Sequence, residues 1–83
     1  MEALGIELKV RRLQLGLTQE DLAGRCTLDR PYLSLIEVGR KQPTLSVLLL
    51  LADGLELSFG ALMTRVQDRY QESDSLKNSA LQK

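Results

Sequence analysis

Hydrophobic residues along the chain recur at the spacing of α-helices, and no segment alternates between apolar and polar residues as a half-buried strand does. A first amphipathic segment is marked by apolar residues at helical spacing, namely Leu4, Leu8, Val10, Leu13, Leu15 and Leu17. This helix is predicted to end near Gly16, because glycine commonly terminates helices. The pattern favours an all-α fold from its first segment onward.

Residues that cap helices divide the middle of the chain. Thr18 precedes a second helix, and Asp21, three positions later, matches a shortened capping box. Asp29 is the expected cap of a third helix, which has Pro31 in its first turn, where no amide hydrogen is needed. This third helix is predicted to end near Gly39.

Thr44 and Ser58 are the expected caps of two more helices. The fourth helix is predicted over residues 45–53 with Gly54 as its end, and the fifth from Phe59 to about Gln71. From residue 73 the chain is polar, so we expect a flexible C-terminal tail over residues 73–83. The predicted architecture is therefore a compact five-helix domain over residues 1–72.

The composition restricts the class of function. The chain has 83 residues and one cysteine, Cys26, which cannot form an internal disulfide and fits a reducing cytoplasm. The N-terminal residues lack a signal-peptide pattern, and no run reaches the ~18 apolar residues of a membrane span. Because histidine and a glycine-rich phosphate loop are both missing, we expect no enzyme activity, cofactor, metal or small-molecule ligand.

The charge is unevenly distributed although its formal sum is zero. Residues 9–41 contain seven basic and four acidic side chains, whereas the remainder contains four basic and seven acidic ones. A basic N-terminal half beside an acidic C-terminal half suits a domain that turns one face to DNA.

The second and third predicted helices are each about eight residues long, and only Thr27 and Leu28 separate them. Two short helices joined by such a tight turn form a helix-turn-helix unit, whose second helix enters the major groove. Apolar residues occupy the positions that its inner face requires, namely Leu22, Ala23, Leu28, Leu33 and Ile36.

Three segments closely resemble the Xre/Cro-type family, which includes lambdoid phage repressors and restriction–modification controller proteins. They are Arg12 to Ala23, Leu28 to Glu37 and Gly39 to Leu45, within a match from about Ile6 to Met63. The resemblance implies a five-helix lambda-repressor-like domain that binds a double-stranded operator, expected to be palindromic, as a homodimer. Its recognition helix would span about Asp29–Val38.

The same resemblance implies how the domain contacts DNA. Gln19 would bond a phosphate, and the guanidinium of Arg30 would bond guanine O6 and N7 together. Tyr32 stays open between packing and phosphate contact, as Lys9 and Arg11 do between phosphate attraction and plain surface. The residues expected at the DNA are Gln19, Asp29, Arg30, Pro31, Tyr32, Ser34, Arg40, Lys41 and Gln42.

Three residues depart from the family pattern. Thr27 stands where a turn glycine is usual, and a β-branched residue is poor at positive φ. Leu35 stands where a polar base-reading residue is common, and Pro31 has no side-chain donor. Leu35 is therefore expected to read either DNA shape or a thymine methyl, and Pro31 can offer only apolar contact. We expect sparse direct readout that depends on Arg30 and on DNA deformability.

Other conspicuous side chains have structural interpretations. The resemblance implies an ion pair between Arg12 and Glu37 that joins the first and third helices. Arg25 is expected to be a solvated residue at a helix end rather than a DNA contact. Cys26 is expected to be an inert buried thiol, since a redox sensor needs exposure and a lowered pKa.

An excess of leucine predicts dimerisation through the fourth and fifth helices. Five consecutive aliphatic residues, 47–51, cannot all face one core, so some of them should face a partner, although Leu50 as a simple exposed leucine is the alternative. The expected interface residues are Val47, Leu50, Met63, Val66 and Tyr70. The predicted function is a dimeric transcriptional regulator; the alternative is a protein-interaction module of the same fold without DNA binding.

Overall fold

The structure is a computed structural model in which the backbone is described for residues 2–81 and side chains for residues 2–71. Its helices are α1 (Glu2–Gln14), α2 (Gln19–Cys26), α3 (Arg30–Glu37), α4 (Leu45–Gly54) and α5 (Phe59–Leu81). No strand occurs within residues 2–81. The prediction of an all-α, five-helix domain is confirmed.

Local hydrogen bonds explain where most of the helices begin. Thr18 Oγ1 accepts from the Asp21 amide at 3.0 Å, and an Asp21 carboxylate oxygen accepts from the Thr18 amide at 2.9 Å. These bonds lower the pKa of Asp21. Thr44 and Ser58 cap α4 and α5 through amides three residues on, at 3.2 and 3.0 Å. Asp29 precedes α3 as predicted, but its side chain makes no capping bond.

Helix α4 ends at Gly54 as predicted, whereas α5 extends beyond its predicted end. Gly54, the last residue of α4, is buried against α2. A Cβ at this position would lie 2.6 Å from Cys26 Sγ. Gly54 permits the close approach of α2 and α4, and the left-handed residue follows later, at Glu56 with a φ of 59°. Helix α5 continues to Leu81, beyond the predicted end near Gln71. The predicted flexibility of residues 73–83 falls outside the described side chains and stays a prediction.

Aliphatic side chains from all five helices form one core. Its fully buried members are Leu8, Leu22, Cys26, Leu33, Ile36, Leu51, Leu55 and Leu62. Helix α1 packs on α3 and α5, while α2 packs on α3 and α4. A side chain at Gly5 would collide with the carbonyls of Ile36 and Glu37, so this glycine sets the distance between α1 and α3.

A buried carboxylate fixes α5 against α1. Glu7 is 6% exposed. It accepts from Arg69 Nε at 2.8 Å and lies 3.5 Å from Arg65 Nη1. The two arginines stand one helical turn apart on α5, so they hold the helix at two points.

The residues that the structure describes include no single helix that is long and apolar enough to cross a membrane. Helix α4 and the first part of α5 pass such a test only together, as a pair bent by 100°.

Candidate nucleic-acid interface

The turn between α2 and α3 has the geometry of a glycine turn without the glycine. Thr27 is left-handed, with a φ of 56° and a ψ of 42°. The amides of Thr27 and Leu28 bond back to the carbonyls of Gly24 and Ala23, at 3.3 and 2.9 Å. A β-branched residue in this conformation costs about 1–3 kcal/mol. The strain expected from the sequence is therefore present, and the turn still brings α3 against α2.

Helix α3 buries one side and presents the other to solvent. Leu33, Ile36 and Glu37 are buried, and Tyr32 and Ser34 are half-buried. The exposed residues of its outer face and cap are Asp29, Arg30, Pro31, Leu35 and Val38. The predicted base-reading residue, Arg30, is thus accessible at the start of the helix.

A buried ion pair anchors α3 to α1. Arg12 Nε donates to Glu37 Oε2 at 2.8 Å, and Arg12 Nη2 donates to Oε1 of the same carboxylate at 3.1 Å. The remaining Arg12 nitrogen, Nη1, donates to the Leu17 carbonyl at 2.8 Å. The side chains of Arg12 and Glu37 are only 8% and 2% exposed. The ion pair that the resemblance implied is therefore present, and its two-pronged geometry restrains both the position and the rotation of α3.

Gln19 extends this pair to the protein surface. Its Nε2 donates to Glu37 Oε1 at 3.2 Å, and its Oε1 accepts from Arg30 Nη1 at 3.3 Å. The side chain expected to contact a phosphate is therefore held at both ends of its amide. Gln19 links the buried carboxylate to the guanidinium of Arg30, a role that nothing in the sequence indicated.

The loop after α3 carries the predicted backbone-contacting residues Arg40, Lys41 and Gln42, all exposed. The amides of Arg40 and Lys41 both donate to the Leu35 carbonyl, at 2.9 and 3.2 Å. This folds the loop onto the end of α3. Lys41 Nζ lies 6.0 Å from the centre of the Tyr32 ring, within reach of a cation–π interaction.

Three side chains outside α3 and the loop that follows it contact other parts of the domain. Arg25 is exposed in the last turn of α2, as expected, and its Nη1 also donates to the Gly54 carbonyl at 3.0 Å and to Glu56 Oε2 at 3.1 Å. Arg11 Nε donates to the Leu55 carbonyl at 3.0 Å. Cys26 is buried, as predicted, and burial raises the pKa of its thiol.

The candidate dimer face partly matches the prediction. Leu50 and Tyr70 are 47% and 53% exposed, while Val47 and Met63 are half-buried against the core. Val66 is only 5% exposed, so its assignment to the interface is wrong: it closes the monomer core. The exposed leucines that sequence reasoning missed on α4 are Leu45 and Leu49, at 62% and 50%.

No group of three metal-ligating residues occurs among the described residues.

Two short helices crossing at a tight turn, with exposed polar groups on the second, define a helix-turn-helix protein. The chain matches the "Helix-turn-helix domain" family model over residues 3–66, and it belongs to that family.

Relatives agree with this assignment. The chain is 42% identical over 53 residues to the uncharacterized HTH-type transcriptional regulator y4dJ of Sinorhizobium fredii (strain NBRC 101917 / NGR234), covering 64% of this chain and 69% of that one. Among solved structures it resembles the clp gene regulator ClgR from Corynebacterium glutamicum, with a TM-score of 0.87, 26% identity, and 95% and 84% of the two chains covered.

Restriction–modification controller proteins are also similar to the chain. C.Esp1396I bound to a 19 base pair DNA duplex matches with a TM-score of 0.77 and 35% identity over 83% of this chain and 92% of that one. C.AhdI from Aeromonas hydrophila matches with a TM-score of 0.71 and 34% identity over 74% and 92%. The resemblance to this family that the motifs indicated is confirmed.

Proposed function

We propose that the protein is a transcriptional regulator that binds a specific double-stranded DNA operator as a homodimer in the cytoplasm. Its general class, a DNA-binding regulator, follows from the helix-turn-helix family and from its relatives, one of which is bound to a DNA duplex. The observation that carries the proposal is that the guanidinium of Arg30 is exposed at the start of α3 and donates a hydrogen bond to Gln19. The proposal includes no catalysis and no bound small molecule.

In this proposal α3 enters the major groove and Arg30 bonds to the O6 and N7 edge of a guanine. Gln19 keeps one amide hydrogen for a phosphate while its oxygen holds Arg30. The loop with Arg40, Lys41 and Gln42 follows the recognition helix directly and supplies phosphate contacts. Asp29 and Ser34, at the start of α3 and one turn into it, face the same groove.

Pairing of two chains completes the operator-binding unit. One α3 offers few base contacts, whereas a two-fold pair presents two recognition helices to half-sites about 34–36 Å apart on one DNA face. Exposed apolar residues on both helices, Leu49 and Leu50 on α4 and Tyr70 on α5, support such pairing. A two-fold pair would read a palindromic operator.

Selection from a randomised duplex library tests this function. The purified protein should enrich a palindrome, and its half-site should contain a guanine whose preference is lost in Arg30→Ala. A library that stays random after repeated rounds would contradict operator binding and favour the protein-interaction alternative. An enriched single, unrepeated half-site would contradict the dimer alone.

A further inference from the structure

Helix α3 carries an apolar stripe on its solvent side. Pro31, Leu35 and Val38 are spaced i, i+4 and i+7, which places them along one side of a helix. Leu35 is 40% exposed and Val38 is 63% exposed. The core is built from Leu33 and Ile36 on other sides of α3, whereas the stripe leaves a large part of its apolar surface open to solvent.

Cations border this stripe at both ends. Arg30 precedes Pro31, and the loop that carries Arg40 and Lys41 is bonded to the Leu35 carbonyl itself. A partner that covers the stripe must therefore offer apolar groups between negative charges. Duplex DNA does so, because phosphates flank the major groove and the thymine methyl is the apolar group that base edges display there.

We propose that Leu35, with Pro31 beside it, reads thymine methyl groups next to the guanine contacted by Arg30. This inference rests on the proposed function and adds to it the base composition of the half-site. Leu35 lies five residues beyond Arg30, about 7.5 Å along the helix axis. Those thymines would therefore belong to the same half-site as the guanine.

The geometry separates the two kinds of readout. Arg30 donates one hydrogen bond to Gln19 and keeps its other guanidinium N–H groups for a two-pronged hydrogen bond to a base. The Leu35 side chain has no polar atom. It can favour a base only through the free energy of burying its own apolar surface against a methyl group of that base. Uracil is thymine without the methyl group and keeps all its hydrogen-bonding atoms. Replacing thymine with uracil therefore measures the contribution of the methyl contact alone.

Substitution of deoxyuridine for thymidine, one position at a time, in the operator enriched by selection tests the inference. Wild-type protein should lose about fourfold in affinity at one or two positions. This ratio corresponds to about 0.8 kcal/mol, the free energy of burying one CH₂-sized apolar group. Leu35→Ala should bind the unmodified operator more weakly and should show a clearly smaller loss with deoxyuridine than wild-type protein does. Ile6→Ala, a change at an aliphatic residue of α1 that is 44% exposed, should behave as wild type.

Three outcomes would overturn the inference, and a fourth would overturn the proposed function. Equal binding of the thymidine and deoxyuridine operators by wild-type protein would overturn the inference, as would a deoxyuridine effect of undiminished size in folded Leu35→Ala. A selected half-site without thymine near the guanine would overturn it too. Failure to bind any operator would instead remove the proposed function, so the two failures are distinguishable.

Discussion

Replacement of Glu37 with glutamine is expected to destabilise the domain strongly. The Glu37 side chain is 2% exposed and accepts two bonds from Arg12, whose side chain is 8% exposed. Glutamine keeps the shape but offers one acceptor oxygen and turns an NH₂ group toward the guanidinium. The buried charge of Arg12 then lacks its counter-ion, a loss that typically costs about 3–5 kcal/mol.

That loss is large for a chain of this size. A domain of 83 residues is stable by about 4–12 kcal/mol at usual values per residue. One kcal/mol lowers the melting temperature of such a domain by about 4–8 °C, so Glu37→Gln should lower it by about 12–40 °C. Thermal unfolding followed by circular dichroism measures this shift, and urea unfolding gives the free energy directly.

A double variant separates charge burial from positioning. Arg12→Met with Glu37→Met removes both charges at similar volume and should restore stability to within about 1 kcal/mol of wild type, because apolar replacement of a buried pair is often neutral. Gln19 then loses the acceptor that orients it, so preference for the base read by Arg30 should still weaken. A single variant that loses less than about 1 kcal/mol, or a double variant as unstable as the single one, would refute the reasoning.

Three further predictions concern other parts of the molecule. Lys41→Ala should weaken binding to all duplexes by similar factors and reduce the salt slope of the binding constant by about one unit; a selective loss for the operator would contradict the phosphate assignment. Leu50→Glu, at a residue 47% exposed, should dissociate the dimer in sedimentation without loss of helicity, whereas Val66→Glu, at 5%, should unfold the domain; the reverse order would refute the proposed face. Gly54→Ala should cost about 1–3 kcal/mol in urea unfolding, because its Cβ would lie 2.6 Å from Cys26 Sγ, and Cys26→Ala should recover part of that loss; an unchanged Gly54→Ala protein would contradict it.

Features governed by neighbouring residues could be predicted from the sequence. The caps at Thr18, Thr44 and Ser58 each bond an amide three positions on, so composition over four residues suffices. The motifs around the tight turn likewise indicated the helix-turn-helix and the left-handed strain at Thr27. Asp29 is the exception, since the residue type allows a cap without requiring one.

Contacts between distant residues could not be predicted in this way. Arg25 meets Gly54, and Glu7 meets Arg69, across separations of 29 and 62 residues. Val66 was misplaced because an apolar stripe on α5 does not reveal which of its members the core covers. The hydrogen bond that Arg30 donates to Gln19 depends on how α2 and α3 are packed, so the sequence suggested only a phosphate contact for Gln19.

The affinity of wild-type protein and Arg30→Ala for the selected operator and for a random duplex, measured across a salt titration, tests the central claim most directly. Wild-type protein should prefer the operator, and its binding to both duplexes should weaken steeply with salt. Arg30→Ala should lose about 1–3 kcal/mol on the operator and relax the preference at one base pair of each half-site. Salt-independent binding, or unchanged affinity and preference in folded Arg30→Ala, would contradict sequence-specific recognition through α3.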